Sequence, residues 1–193
     1  MSDQVSDASD VERMIAEIDA LRGKVEQLQE RVAQLDQLAH QDTLIDLPNR
    51  RGFMRALERL SHRVNRYDEK AAMLFVDIDG LKLINDSFGH KAGDEALIQV
   101  ARLLAGAVRK SDLVARIGGD EFGILLSHAD EASALETAAR LVDLIAGCDF
   151  IHDGDALPLS VAIGVGMITG DESPEDVMAR ADAEMYRRKS AAA

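Results

Sequence analysis

The chain has 193 residues, 47% hydrophobic and 30% charged, with a net charge of -13. That balance suits one globular domain with an appendage, argues against a nucleic-acid partner, and means that any phosphate ligand needs a local cation. The single cysteine, Cys148, cannot close an internal disulfide, no apolar run is long enough to span a bilayer, and residues 1–10 are no signal peptide, so the expectation is a cytoplasmic protein that does not engage membranes.

Residues 1–10 read as a flexible polar N-terminus. Ser9 and Glu12 form a capping box, which predicts a helix start. Over residues 11–41 apolar side chains recur at alternating threes and fours: Val11, Met14, Ile18, Leu21, Val25, Leu28, Val32, Leu35 and Ala39. With Val11 at heptad position a, the a set is mostly β-branched and the d set is Met and Leu, the pattern of a parallel two-stranded coiled coil. Glu17 would face Arg22 of a second copy, and Arg31 would face Asp36. Gly23 falls at the outward f position. A lone amphipathic helix lying on its own domain would show a broader stripe. The seam ends at Asp42, so residues 42–193 form the main domain.

In that domain, Leu47-Pro48-Asn49 marks a turn, with Asn49 capping a helix to about Val64. Ala72–Ile78 reads as a buried strand, Asp94–Arg109 as a helix and Leu113–Leu126 as a hairpin. Asp130–Ala146 reads as a helix with Leu135, Ala138, Val142 and Ile145 inward. Leu159–Ile168 reads as a strand, and Ser173-Pro174-Glu175-Asp176 opens a helix to about Lys189. The expected class is α/β (α+β), with helices around a mostly antiparallel sheet. The sequence has no GxxxxGK[ST] phosphate loop, HExxH or cysteine pair for zinc.

Two acidic clusters carry candidate chemistry. In RIGGDEF, Gly118 and Gly119 precede Asp120 and Glu121 at the hairpin tip. The glycines suit a positive-φ turn or the close approach of a phosphate. Hairpin turns of Gly and Asp are also common for structural reasons alone. The apolar strand before Ile78 meets Asp77, and a carboxylate there is costly unless paired or metal-bound. If Asp77 and Asp120 converge on one sheet edge, their oxygens suit Mg²⁺; two acids capping strand ends independently is an equally good reading. Between the clusters, Asn85 and Asp94 have the groups to read a guanine edge, or are a turn and a cap residue. His90 reads as a loop histidine.

VDIDGLKLINDSFGHKAGDEAL followed by RIGGDEF resembles the GGDEF-domain family of diguanylate cyclases. DTLIDLPNRRGF is similar to that family's leading motif and ADAEMYRRK to its closing helix, so the resemblance covers about Asp42–Lys189. It implies a palm-like nucleotide-cyclase fold and condensation of two GTP into cyclic di-GMP and two pyrophosphates. By position it implies Mg²⁺, or Mn²⁺ in its place, on Asp77, the Ile78 carbonyl and Asp120. Asp120 stands at the catalytic acid and Glu121 supports it. Lys82 and Lys189 stand at phosphate contacts, Asn85 and Asp94 at the guanine readers, His90 at a further nucleotide contact, and Gly118 and Gly119 where phosphates approach. Arg109-Lys110-Ser111-Asp112 matches an RxxD inhibitory site for the product, completed by Arg140; read alone it is a helix-end ion pair or cap.

The resemblance implies a homodimer through the coiled coil, with GTP as substrate and cyclic di-GMP as product and inhibitor. The alternative is a non-catalytic dimer that binds GTP or cyclic di-GMP and signals through its coiled coil. Three departures from the family pattern stand out. Asp46 lies where Thr-Gly usually leads into Leu-Pro-Asn. Gly80 replaces a bulky residue, which predicts a looser loop, and Ala193 replaces a phosphate-holding arginine.

Overall fold

Residues 3–192 are described in a computed structural model, and the chain falls into two units, one ending at Ala39 and the other starting at His40. The first is a single helix, α1 (Asp3–His40). It starts well before Ser9, so the Ser9–Glu12 segment lies inside the helix rather than at its cap; those two side chains lie outside the described residues. Met14, Leu21, Val25, Leu28, Val32 and Leu35 are each more than half exposed along it, and Ile18 is 48% exposed. Arg22 pairs with Asp19 of the same helix at 3.8 Å.

The second unit contains α2 (Arg50–Tyr67), β1 (Ala71–Ile78), α3 (Leu81–Phe88), α4 (His90–Ala107), β2 (Leu113–Arg116), β3 (Glu121–Ser127), α5 (Glu131–Ala146), β4 (Ile151–His152), β5 (Asp155–Ala156), β6 (Val161–Ile168) and α6 (Pro174–Ala192). Four strands form an antiparallel sheet in the order β2-β3-β1-β6, so β1 is central.

Alternation along β1 divides the core. Ala72, Leu74, Val76 and Ile78 join Phe122, Ile124 and Leu126 of β3 in one cluster with α3, α4 and α5. Ala71, Met73 and Phe75 join Leu125 in a second cluster with α2 and α6. The sheet is therefore the middle of three layers. Asp77 continues the odd series, on the α2/α6 face.

The strongly patterned elements lie where the sequence places them. The main differences are local. Residues 81–88 form α3, which the sequence suggests only as a ligand-bearing segment, and α4 starts at His90 rather than Asp94. In α5 the buried positions are Ala134, Ala138, Leu141 and Ile145, while Leu135 is exposed and Val142 only partly covered. Two alanines on the inner face let this helix lie close to the sheet, which turns Leu135 outward.

The short β4–β5 hairpin is tied to α4 by the buried His152, whose Nδ1 lies 2.6 Å from Glu95 Oε2. The same bond holds the Glu95 carboxyl below its usual range.

Asn49 caps α2 through its side-chain oxygen, which accepts from Gly52 N at 3.1 Å, and its Nδ2 donates to Gln41 O at 3.0 Å. Asn49→Ala removes both bonds and should cost about 1–2 kcal/mol. Asn49→Asp keeps the cap and should cost less. Urea unfolding of the two variants against the parent gives the comparison.

Candidate active site

The hydrogen-bonded pairing of β1 with β3 sets Asp77 opposite Glu121. Directly opposed residues point to the same face of a sheet, so both carboxylates project from the α2/α6 side. Ile78 N donates to Asp120 O at 3.1 Å and fixes the hairpin tip to the end of β1. Asp79 follows, held by Ser160: its N–H donates to Ser160 O at 2.9 Å and its Oδ2 accepts from Ser160 Oγ at 2.9 Å. Four acids thus crowd the ends of two strands.

One cation answers them. Lys189, on α6, donates to Asp77 Oδ1 and lies 3.5 Å from Asp79 Oδ1. Burial raises the affinity of Asp77 for a proton, and the nearby Asp120 and Asp79 add to it, against the opposing pull of Lys189. Glu121 is raised as well, by burial first and then by Asp120, Asp77 and Asp182, with Arg50 pulling the other way. The Lys189 ammonium is stabilised by its bond to Asp77, and its pKa rises.

The two glycines do not serve a left-handed turn, since neither Gly118 nor Gly119 has a positive φ. Gly118 is required by close approach: a Cβ there would stand 2.0 Å from Glu121 Oε2. The turn is held by Arg116, which the sequence reading passed over. Its Nε and Nη2 donate to Gly119 O at 3.2 and 2.8 Å, while Nη1 reaches Asp42 Oδ1 at 3.3 Å. Its position at the strand end, three residues before that carbonyl, is the signal that could have identified it. Asp42 also accepts from Leu44 N and Ile45 N, closing the turn after α1. Asp46 is exposed in that turn, and nothing in the structure explains it.

Asn85 meets α4 through a second close approach, at Gly93. A Cβ on Gly93 would lie 2.1 Å from Asn85 Oδ1, so the amide of Asn85 lies across residue 93, beside Asp94. His90 is exposed at the start of α4, and Lys82 is exposed in the first turn of α3. Neither contacts the acids among the described residues. Gly80 has a φ of +69, a backbone that glycine accepts without strain, so it suits the turn into α3 rather than loosening it.

Arg109, Asp112 and Arg140 gather at the other end of the β2–β3 hairpin, about 20 Å from the tip at ~3.3 Å per strand residue. They line a concavity of about 120 Å³ with His128, Ser133 and Thr137. Asp112 closes the turn after α4, accepting from Arg109 N at 3.0 Å and Ser127 N at 3.1 Å. Arg140 Nη1 donates to Ala107 O at 3.0 Å. The hollow is smaller than an enclosed ligand pocket, so a large ligand would lie across the surface. Ala193 lies outside the described residues.

Among the described residues, no three His, Cys, Asp or Glu side chains gather as a self-sufficient metal cluster. Two carboxylates and a carbonyl of an all-oxygen set still fit Mg²⁺, which usually keeps only one or two protein carboxylates and completes its shell with water and substrate phosphates. No helix among the described residues is long and apolar enough to cross a membrane.

A family model described as the diguanylate cyclase GGDEF domain matches residues 39–193. The diguanylate cyclase TpbB of Pseudomonas aeruginosa PAO1 is 38% identical over 174 residues, 89% of this chain and 40% of that protein. The response regulator PleD of Caulobacter vibrioides NA1000 is 37% identical over 157 residues, 80% of this chain and 35% of its own. The chain thus spans well under half the length of these curated relatives. The solved coiled coil and GGDEF domain of DgcB from Caulobacter crescentus, in complex with c-di-GMP, matches with a TM-score of 0.82 at 25% identity, covering 92% of this chain and 95% of that one. The GGDEF domain of PA1120 (YfiN or TpbB) from Pseudomonas aeruginosa matches with a TM-score of 0.71 at 38% identity, covering 75% and 91%.

The raised pKa of Glu121 has a stability consequence. The folded state holds this proton more tightly than the unfolded chain, so stability falls as pH rises from the ordinary glutamate value through the folded one. Glu121→Gln should be more stable than the parent at pH 7, and the gap should close below about pH 4. Urea midpoints measured across that range test it.

Proposed function

Because the chain belongs to the GGDEF family of diguanylate cyclases, we propose that it condenses two GTP into cyclic di-GMP, releasing two pyrophosphates, where two copies face each other. The observation that carries this reading is the meeting of Asp77, Asp120 and Glu121 at the joined ends of β1 and β3. A product with two-fold symmetry needs two half-sites, and a C2 dimer supplies them.

Asp77, Asp120 and the Ile78 carbonyl would hold Mg²⁺, or Mn²⁺ in its place. When bound, the metal would neutralise phosphate charge and draw electron density from the α-phosphorus. Lys189 and Lys82 supply the local cations that a chain of charge -13 needs to hold a triphosphate. Asn85 and Asp94 read the guanine: the carboxylate accepts from N1–H and the exocyclic amine, and the amide bonds the remaining edge. His90 is a further nucleotide contact, and the turn at Gly118 and Gly119 lets the phosphates approach. Each 3′-hydroxyl attacks the α-phosphate of the other GTP. Asp120 and Glu121 stand beside the reacting atoms, and the raised proton affinity of Glu121 suits it to accept the hydroxyl proton.

The half-exposed seam of α1 supports dimerisation as a parallel coiled coil, which sets both catalytic domains at one end and raises their effective concentration. Arg109, Asp112 and Arg140 form the product-inhibition site: guanidinium forks suit both phosphate and the guanine Hoogsteen edge. The input that governs the dimer would arrive through the N-terminal residues or a partner helix.

Incubation with GTP and Mg²⁺, followed by chromatography and mass spectrometry, should yield cyclic di-GMP from the parent and at least a hundredfold less from Asp120→Ala. A folded dimer that binds GTP without turnover would instead favour the non-catalytic module. In the same assay Arg109→Ala should keep its initial rate and lose inhibition by added cyclic di-GMP. An unchanged inhibition curve would remove the RxxD assignment.

A further inference from the structure

The ion pair between Lys189 and Asp77 joins two groups that the cyclase reading sends to different partners. Asp77 belongs to the metal, and Lys189 belongs to the triphosphate. In the structure they bond to each other, with Asp79 3.5 Å away from the same ammonium. The two side chains differ in freedom. Asp77 is 15% exposed and fixed on a central strand, whereas Lys189 is 41% exposed on a four-carbon stem near the end of α6. Beside the lysine lies a cavity of about 470 Å³, which it shares with Asp79, Arg188, Val142, Val161 and Ile163. If one partner leaves, it is the lysine.

We propose that Lys189 is the resident counter-ion of Asp77 and Asp79, and that a divalent metal takes its place far more readily once nucleotide phosphates receive the displaced ammonium. Without nucleotide the lysine competes with the metal for the same carboxylate oxygen. With nucleotide bound, the ammonium has a better partner, because a triphosphate offers more charge than two carboxylates, one of which, Asp79, already accepts from Ser160 Oγ. Metal and nucleotide therefore strengthen each other's binding through one side chain, and by linkage the effect is reciprocal. The exchange also means that Asp77 and Asp79 always have a cation beside them, the ammonium or the metal. It rests on the cyclase reading for the identity of the two ligands.

The test measures Mn²⁺ binding to the nucleotide-free full chain by the electron paramagnetic resonance signal of free Mn²⁺. Lys189→Ala should bind Mn²⁺ about three- to tenfold more tightly than the parent, and a non-hydrolysable GTP analogue more weakly. Lys189→Arg, which keeps the charge and the reach, should stay near the parent. Arg188→Ala makes the same charge change one residue away, where the side chain pairs with Glu184 at 3.1 Å, and should leave Mn²⁺ affinity unchanged. In an Asp77→Asn background the effect of Lys189→Ala should vanish.

Equal tightening by Lys189→Ala and Arg188→Ala would mean a general field effect and overturn the exchange. Unchanged or weaker Mn²⁺ binding in Lys189→Ala would also overturn it. In either case, cyclic di-GMP synthesis by the parent would leave the cyclase reading standing. A parent that neither binds Mn²⁺ nor makes cyclic di-GMP would overturn both.

Discussion

One guanidinium joins the point where the chain enters the domain to the point where the acids gather. Arg116 bonds Asp42 on one side and the Gly119 carbonyl on the other. Both side chains of the ion pair are only 16% exposed. Removing one partner would leave the other charge half-enclosed without its counter-ion, at a cost in stability. The rest of the tip depends on this brace. With Gly119 fixed, Asp120 O meets Ile78 N, and Glu121 falls into register opposite Asp77. The turn that Asp42 closes is tied down again by Asn49, whose N–H reaches His40 O, and by Arg116 N, which reaches Pro48 O. The segment leaving α1 and the loop bearing Asp120 are thus parts of one hydrogen-bonded assembly.

The acids themselves work against the fold. Burial first, and then the neighbouring carboxylates, make Asp77 and Glu121 bind protons more tightly than isolated carboxyls do. A chain selected for stability alone would not assemble this set in a molecule of charge -13. Local rules broken at one place, with compensation from a distant lysine, are the mark of a functional site. The opposite end of the same hairpin is the contrast. There Asp112 is satisfied by backbone N–H groups of Arg109 and Ser127, and its structural role in the turn after α4 coexists with the arginines beside it.

Much of this was legible in the order of residues. The strands and long helices announce themselves by period, and Asp77 stands out because a carboxylate in an apolar strand is costly unless it is paired or metal-bound. The misses have physical causes. Residues 81–88 look like a ligand loop because glycines bound them and polar side chains fill their exposed face; only Leu81 and Ile84 are buried, too few to show a helical period. Leu135 was assigned inward by size, yet close packing of α5 on the sheet favours Ala134. Gly118 suggested a turn conformation, whereas its neighbour Glu121 needs the space. The partner of Asp77 lies 112 residues away, a separation that no local pattern encodes.

The central place of β1 sets the order in which the molecule can be completed. β1 ends at Ile78, but its two neighbours arrive much later, β3 from Glu121 and β6 from Val161. Lys189 follows later still. During synthesis this largely apolar strand therefore waits with both edges open, the situation in which strands pair with the wrong chain. Until residue 189 has left the ribosome, the acids at the end of that strand also lack their cation. The nascent chain passes through a stage that is sticky along one strand and electrically unbalanced at its tip. Codon choice, chaperone capture or growth temperature acting between residues 78 and 168 would bear on yield far more than the stability of the finished domain suggests.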